Sequence, residues 1–282
     1  MDWLQLMPKN RFPDSAAKRE LRRQDARRLA TFRDERNFPL GLHYCGMPSV
    51  EFLDVIAWRN VLRSVCAVEW DGDTLQDMRI EWDRLSHGLP IHFVPSDILD
   101  FIRNSKDTYD VYNLDFYGGF LNPNNRGVPR CPEAISNLIV RQAQKASSFV
   151  LITTFNVRDK GAREYLDFIN DVPRALSGWE NVEASSKEHK KNNSTLLKLC
   201  FPYFCWQVGM THNFAVRFED PVVYHSSATM LHFYAEFIHQ PSALPKLTST
   251  DVLAELASRP LIRLDGMIPR IEMRPPEIIR AQ

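Results

Sequence analysis

From residue 38 onward, short apolar or β-branched runs alternate with amphipathic segments. Parallel neighbouring strands must be joined by a crossover, which is usually a helix, so the alternation predicts an α/β fold with a mostly parallel sheet. Because such crossovers are right-handed, few topologies remain. The predicted strands are 40–46, 64–69, 91–94, 109–114 and 148–155, and the predicted helices are 49–59, 73–85, 98–104, 133–145 and 160–176.

The pattern changes after the fifth of these units. A very apolar stretch contains Pro202, which we expect to kink a helix because proline removes a backbone donor. Aromatic and β-branched residues then indicate two further strands. The elements predicted in this part are a polar loop at 183–194, a helix at 195–208, strands at 213–219 and 229–238 joined through Asp220 and Pro221, and a helix at 251–257 before a proline-rich tail.

The N-terminal residues 9–36 are basic, with ten lysine and arginine residues against five acidic ones. A thin apolar stripe along this segment predicts a surface helix. Such a helix is either solvated and packed on the domain, or an arm that contacts the phosphates of a nucleic acid. The patterns together divide the chain into a basic helical extension at 1–37, an α/β domain at 38–240 and a C-terminal extension at 241–282.

Composition narrows the class of protein. The chain has 282 residues, a formal net charge of zero and 44% hydrophobic residues, which is typical of a globular protein. Its five cysteines form no C-x-x-C pair, so we expect buried free thiols in a reducing compartment and no metal site. The sequence shows neither a signal-peptide pattern nor an apolar run of 18 residues. We therefore expect a cytoplasmic protein without a membrane segment.

Residues at the predicted strand ends are the candidates for chemistry, because ligands of a doubly wound sheet bind at the carboxyl ends of its strands. Tyr44 and Gly46 end the first strand, and glycine allows a close backbone approach. Glu69 follows 23 residues after Gly46, close to the spacing of about 20 for an acid that binds ribose hydroxyls. Its neighbour Trp70 could cover an adenine face.

Two more strand ends carry acids. Asp97, followed by Ile98, could accept a hydrogen bond from an adenine amine, or could simply cap the next helix. After the fourth strand the sequence Asn113-Leu-Asp-Phe-Tyr117 precedes two glycines. Polar Asn113 and Asp115 in a buried strand need partners, and the aromatics Phe116 and Tyr117 could line a substrate site. The eight histidines are scattered, and we interpret them as structural.

This series of turns resembles the class I methyltransferases that use S-adenosylmethionine, over residues 38–240. The resemblance implies a seven-stranded Rossmann-like sheet, mostly parallel, with helices on both faces and an antiparallel last strand. It further implies that Gly46, beside Tyr44, approaches the methionine part of the cofactor and that Glu69 and Trp70 hold its ribose and adenine. Asp97 and Ile98 would also recognise adenine, whereas Asn113, Asp115, Phe116 and Tyr117 would face the methyl acceptor.

The segment 113–117 is similar to the loops of enzymes that methylate amino groups of nucleic-acid bases, which favours that reaction. The alternative is a catalytically inactive scaffold or partner-binding subunit of the same fold. The reduced glycine motif favours the scaffold, whereas the retained acids Glu69, Asp97 and Asp115 disfavour it. A nicotinamide-dependent oxidoreductase is disfavoured because the chain lacks G-x-G-x-x-G.

Overall fold

A computed structural model describes residues 14–85, 88–116, 119–120, 130–157, 194–225, 228–240, 248–265 and 268–273. Its strands are β1 Leu42–Gly46, β2 Leu62–Glu69, β3 Ile91–Pro95, β4 Val111–Asp115, β5 Phe149–Asn156, β6 Phe214–Phe218, β7 Val222–His225, β8 Thr229–His239, β9 Leu261–Asp265 and β10 Ile268–Met273. Its helices are α1 Ala16–Glu35, α2 Leu53–Trp58, α3 Gly72–Leu85, α4 Ile98–Asn104, α5 Arg130–Gln144, α6 Ser194–Thr211 and α7 Ser249–Ser258.

The strands form one twisted sheet. Strands β3, β2, β1, β4 and β5 lie side by side in that order and are parallel, which is the Rossmann order. Strand β8 runs antiparallel to β5, and its other edge pairs with both β6 and β7. This arrangement confirms the predicted Rossmann-like sheet with an antiparallel strand near the end of the chain.

The sheet is wider than the seven strands that the resemblance implies, because β7, β9 and β10 extend it beyond β8 within the described residues. Strand β9 is parallel to β7, and β10 closes this side antiparallel to β9. The sequence pattern missed β7 because this strand is only four residues long. It missed β10 because of Pro269, yet an edge strand such as β10 tolerates proline.

The predicted strands that the structure describes agree with the observed bounds to within two residues. Helix α2, which was predicted at 49–59, begins later than predicted, at Leu53. The reason is that Phe52 before it adopts a left-handed conformation with φ of 51°. The helix predicted at 195–208 is α6, which continues through Pro202. The helix predicted at 160–176 and residues 183–193 of the predicted loop lie outside the described residues, and Ser194, the last residue predicted in that loop, begins α6.

Helices cover both faces of the sheet, as predicted. Helices α1, α2 and α3 bury residues such as Phe32, Trp58 and Trp82 against one face. Helices α4, α5, α6 and α7 form a larger core against the other face. All five cysteines are free and buried, as expected. Among the residues that the structure describes, no helix combines the length and hydropathy needed to cross a membrane.

Helix α1 is an integral part of the fold. Ser15 begins it by accepting a hydrogen bond from the backbone N–H of Lys18. Its apolar stripe, with Leu21, Leu29 and Phe32, is buried as predicted. Two acids of this basic helix, Glu20 and Asp25, are buried as well. A buried carboxylate needs a charged or hydrogen-bonding partner, so their surroundings bear on the site described below.

Lys198 of α6 is buried, and its Nζ donates to the backbone carbonyls of Ala257 and Arg259 at the end of α7. Burial lowers the pKa of Lys198 from 10.5 to about 8. At a pH between these two pKa values, Lys198 is protonated in the unfolded chain but not in the folded chain. The free energy of unfolding that depends on Lys198 therefore increases as the pH rises.

We therefore predict that the free energy of unfolding of the native protein, minus that of Lys198→Met, increases by about 1 to 2 kcal/mol between pH 7 and pH 9.5. Urea denaturation at both pH values measures this difference. Tyrosines and other groups that titrate in both proteins affect both free energies of unfolding in the same way, so their contribution cancels in the difference. A difference that stays constant or falls with pH would contradict the assigned environment of Lys198.

Candidate functional site at the carboxyl edge of the sheet

The predicted site residues come together at one edge of the sheet. In the parallel register, Gly46 of β1 lies opposite Ala67 of β2 and Asn113 of β4. Glu69 lies opposite Pro95 at the end of β3. The segments that follow β1, β2, β3 and β4 therefore leave the sheet on the same side, where a Rossmann-like fold binds its ligands.

The packing around Gly46 leaves no room for a side chain. A Cβ on this residue would lie 2.4 Å from the backbone oxygen of Asn113 and 2.6 Å from the hydroxyl oxygen of Tyr44. Tyr44 is fully buried, and burial raises its pKa well above the ordinary value, with the carboxyl of Asp54 adding to the rise. The close packing of β1 and β4 thus suffices to explain the glycine.

Asn113 connects three elements of this edge. It is buried, and its Nδ2 donates to Oδ2 of Asp54 in α2 at 3.0 Å and to the hydroxyl of Tyr44 at 3.4 Å. Its backbone oxygen accepts a hydrogen bond from the N–H of Met47 at 3.4 Å. Both N–H groups of the Asn113 amide thus donate to side chains of the protein, and these hydrogen bonds hold β1, β4 and α2 together.

Glu69 and Trp70 form an accessible pair after β2. Oε1 of Glu69 accepts a hydrogen bond from the backbone N–H of Asp71 at 2.8 Å, while the residue remains partly exposed. Asp71 in turn accepts from the N–H of Thr74 at the start of α3. The side chain of Trp70 is 75% exposed, which is unusual for so large an apolar group. This pair offers a carboxylate and a flat aromatic face to a ligand.

Asp97 caps the helix that follows β3. Its Oδ1 accepts hydrogen bonds from the backbone N–H groups of Leu99 at 2.8 Å and Asp100 at 3.2 Å, and pairs with Arg130 at 3.0 Å. The side chain is nevertheless 41% exposed, and none of these bonds uses Oδ2. Ile98 is buried in the larger core. The capping role weighed from the sequence is therefore present.

Asp115 is the last residue of β4. Its side chain is exposed to solvent, yet protein surrounds it closely enough that desolvation raises the pKa of its carboxyl, while Lys18 and His232 act in the opposite direction. Phe116 turns inward and stacks on Phe155, with ring centroids 5.5 Å apart. Tyr117 lies outside the described residues. Asp115 is thus the accessible acid of the segment predicted to face an acceptor.

Sequence reasoning missed an ion pair between two helices that lies near Asp115. Asp54 of α2 lies 3.5 Å from Arg22 of α1, and Arg22 also pairs with Asp14. Burial raises the pKa of Asp54, Arg22 opposes that rise, and the nearby Asp115 adds to it. The only sequence signals were an acid inside the first helix of the domain and the basic character of α1, and neither indicates a contact between the two helices.

A buried hydrogen-bonded group lies on the strands next to Asp115. Nε2 of His232 in β8 is 3.1 Å from Oδ2 of Asp25 in α1, and its Nδ1 is 3.3 Å from Oγ1 of Thr154 in β5. Asp25 is 2% exposed and also pairs with Arg28 at 3.2 Å. The interpretation of His232 as a residue held within the fold agrees with these contacts.

The cations of α1 are largely occupied by acids of the same protein. This pairing leaves less positive charge for phosphates than the ten basic residues of 9–36 suggest, although Lys9 and Arg11 lie outside the described residues. The ion pairs are Arg19 with Asp14, Arg22 with Asp14 and Asp54, Arg23 with Glu20, Arg28 with Asp25 and Glu219, Arg33 with Asp34, and Arg36 with Glu35.

Comparison with known proteins yields structural similarity only. No family model and no curated protein sequence matches the chain. Magnesium protoporphyrin IX methyltransferase from Synechocystis PCC 6803, solved with bound S-adenosylhomocysteine, aligns over 83% of this chain and 91% of its own, with 11% identity and a TM-score of 0.42. The N-methyltransferase NodS from Bradyrhizobium japonicum WM9, solved in complex with the same compound, aligns over 81% and 90%, with 13% identity and a TM-score of 0.42.

A putative methyltransferase from Escherichia coli, yhhF, aligns over 76% of this chain and 88% of its own, with 11% identity and a TM-score of 0.36. These scores are low, so the assignment of the fold depends on the order and direction of the strands themselves. By that order, the chain has a Rossmann-like fold in which the antiparallel β8 follows β5, extended at one side by β7, β9 and β10.

Proposed function

We propose that this protein binds S-adenosylmethionine at the carboxyl edge of β1 to β4 and transfers its methyl group. The observation that carries the proposal is the shared edge, where the parallel register brings together the partly exposed Glu69 and Asp97, the exposed Trp70 and the accessible Asp115. Bound there, the cofactor would supply an electrophilic methyl group. The protein would supply binding and orientation, which account for most of the catalysis in a direct displacement.

The residues present fit an adenosyl group. A carboxylate such as that of Glu69 can accept hydrogen bonds from two adjacent ribose hydroxyls. The exposed ring of Trp70 could stack on adenine, and Oδ2 of Asp97 could accept from the amine of the base. Tyr44 and Gly46 would shape the end that takes the methionine part.

The acceptor would face Asp115. Its carboxylate can accept a hydrogen bond from an amino group and so orient the nitrogen lone pair toward the methyl group. The similarity of residues 113–117 to base-methylating enzymes favours a nucleic-acid base as the acceptor. The ion pairing along α1 lends no support to a phosphate-binding arm, so we propose an amino nitrogen as the acceptor atom, with a base as one possible carrier of it.

A non-catalytic module of the same fold is the second candidate, and a specific observation favours it. The packing against Asn113 and Tyr44 explains Gly46 without any ligand. The amide of Asn113 donates only to groups of the protein. A scaffold would keep both features. Ligand binding separates the two candidates, because a scaffold has no need of the exposed acids beside Trp70.

Isothermal titration calorimetry with S-adenosylhomocysteine tests the proposal. We expect the native protein to bind and Glu69→Gln to bind about 10- to 100-fold more weakly, because hydrogen bonds to a charged group contribute about 1.5 to 3 kcal/mol. Glu81→Gln is the matched control, since Glu81 pairs only with Arg84 on α3 among described residues. No binding by the native protein would favour the scaffold, and equal binding by Glu69→Gln would refute the assigned site.

A further inference from the structure

Two cysteines face each other on adjacent strands near the carboxyl edge of the sheet. In the parallel pairing of β1 and β2, Cys45 lies directly opposite Cys66. Both side chains belong to the core that the sheet forms with helices α4 to α7, so they point to the same face. Neighbouring strands lie about 4.8 Å apart, and a disulfide usually joins Cα atoms about 4.4 to 6.8 Å apart. The two thiols are therefore placed for a bond that requires little movement of the backbone.

The two thiols differ in their surroundings. The thiol of Cys45 donates a hydrogen bond to Sγ of Cys66, and the hydroxyl of Tyr109 donates to the same sulfur. These hydrogen bonds lower the pKa of Cys66, although burial and the carboxylate of Asp107 act in the opposite direction. Burial raises the pKa of Cys45 well above its ordinary value. Cys66 is therefore the thiol that ionises first, and Cys45 stays protonated beside it.

Cys66 is also the more accessible of the two. It is 3% exposed, whereas Cys45 is completely buried. On the other side of Cys66, the residue opposite it on β3 is His92, which is exposed, and β3 is the last strand on this side of the described sheet. Only one strand thus separates Cys66 from the sheet edge. This access suits a reagent of the size of hydrogen peroxide and excludes a large substrate.

We propose that Cys66 and Cys45 form a modification site for hydroperoxides, in which Cys66 is oxidised and Cys45 resolves the product to a disulfide. The Cys66 thiolate attacks the terminal peroxide oxygen, the O–O bond breaks, and hydroxide or an alkoxide leaves. Sγ of Cys45 then attacks the sulfur of the sulfenic acid, which forms the S–S bond and releases water that takes up the Cys45 proton. The thiol pair loses two electrons, and the hydroperoxide gains them.

Cys131 separates the effect of the surroundings from the effect of exposure. This residue is 5% exposed, slightly more than Cys66, yet burial raises the pKa of its thiol. Cys200 and Cys205 are completely buried, and burial raises the pKa of both thiols. Because the thiolate is the form that reacts with peroxide, we expect Cys66 to be oxidised before Cys131.

The proposal does not depend on methyl transfer. The bridge would join β1 to β2 one residue before Gly46, on the two strands that end in Gly46 and Glu69. It would therefore lie next to the proposed cofactor site without using any group of that site. In a reducing compartment such a bridge would be transient, because thiols of the cell reduce it again.

Peptide mapping of the full chain by mass spectrometry tests the proposal. The reduced, folded protein is treated with hydrogen peroxide, denatured and alkylated, and its peptides are compared before and after reduction with dithiothreitol. We expect a Cys45–Cys66 bridge that dithiothreitol reverses, with Cys66 oxidised at least about 10-fold faster than Cys131. In Cys45→Ser, dimedone should trap a sulfenic acid on Cys66. Cys131→Ser is the matched control and should form the bridge as the native protein does.

Tyr109→Phe tests the hydrogen bond from the tyrosine hydroxyl. This variant keeps the ring that packs against Phe101 and Tyr112. Loss of one donor should reduce the thiolate fraction of Cys66 about 10-fold, while the greater basicity of the sulfur recovers about 3-fold in reactivity. We therefore expect Cys66 to be oxidised about 3-fold more slowly in Tyr109→Phe. An equal rate would overturn the assigned activation of Cys66.

Three results with the native protein would overturn the proposal: no bridge in excess peroxide, a bridge between other cysteines, or oxidation of Cys131 as fast as that of Cys66. If Cys45→Ser or Tyr109→Phe does not fold, the map of the native protein decides alone. The map needs neither cofactor nor methyl acceptor. Calorimetry of the reduced protein with S-adenosylhomocysteine tests the proposed function separately, so failure of one proposal is distinguished from failure of the other.

Discussion

Gly46→Ala is expected to lower the free energy of unfolding by about 3 kcal/mol, the upper range for overpacking a filled core. The added Cβ would lie 2.4 Å from the backbone oxygen of Asn113 and 2.9 Å from Cζ of Tyr44. Neither neighbour can give way easily. Asn113 is paired on both sides, with β1 and β5, and Tyr44 is fully buried.

Gly72→Ala is the matched control for this prediction. Gly72 is the first residue of α3, and a Cβ there would have no atom within 4 Å. Alanine favours the helical conformation, so this variant should be neutral or more stable by up to about 1 kcal/mol. Urea denaturation of both variants at one pH makes the comparison. Equal stability of the two variants would show that β1 and β4 do not approach each other so closely.

Asp25→Ala is expected to cost about 3 kcal/mol of stability, the lower end of the range for breaking a buried charged pair. Asp25 is nearly inaccessible and joins His232 of β8 to α1. Without it, the proton on Nε2 of His232 loses its acceptor inside the protein. Arg28 still has Glu219, 3.1 Å away, so the loss falls mainly on the histidine.

Asp34→Ala provides the comparison on the same helix. Asp34 is exposed, and its pair with Arg33 lies at the surface, where such pairs contribute under about 1 kcal/mol. Asp25→Asn, which keeps an oxygen for His232 to donate to, should fall between the two alanine variants. Thermal or urea unfolding ranks the three. If Asp25→Ala were no more harmful than Asp34→Ala, α1 would not be anchored to the sheet through this pair.

A strand of the sheet could be predicted where its pattern of apolar and polar residues reflects its position in the sheet. Strand β5 is a run of mostly apolar and β-branched residues because both of its faces are buried, and the sequence alone shows that run. Strand β7 could not be found in the same way, since four residues show no period. Strand β10 carries Pro269, which a local rule excludes from strands and which only its place at the sheet edge permits.

Some residues of the candidate site could likewise be predicted from the sequence, and others could not. Glu69 ends β2 and Asp97 comes two residues after the end of β3, so strand ends and spacing were sufficient to select them. The contact between Asp25 and His232 joins residues 207 positions apart, and no local spacing encodes it. Asp54 was hidden for a similar reason, because its partner Arg22 lies on a helix whose basic composition suggested an external phosphate instead.

If the segments after β1 to β4 enclose one crevice for an adenosyl group, a crystal of the protein soaked with S-adenosylhomocysteine will hold the ligand there. We expect density for adenosine beside Trp70, with both ribose hydroxyls within hydrogen-bond distance of the Glu69 carboxylate and the homocysteine end near Gly46. Density at another surface, or a crevice that stays empty in crystals soaked to saturation, would contradict it.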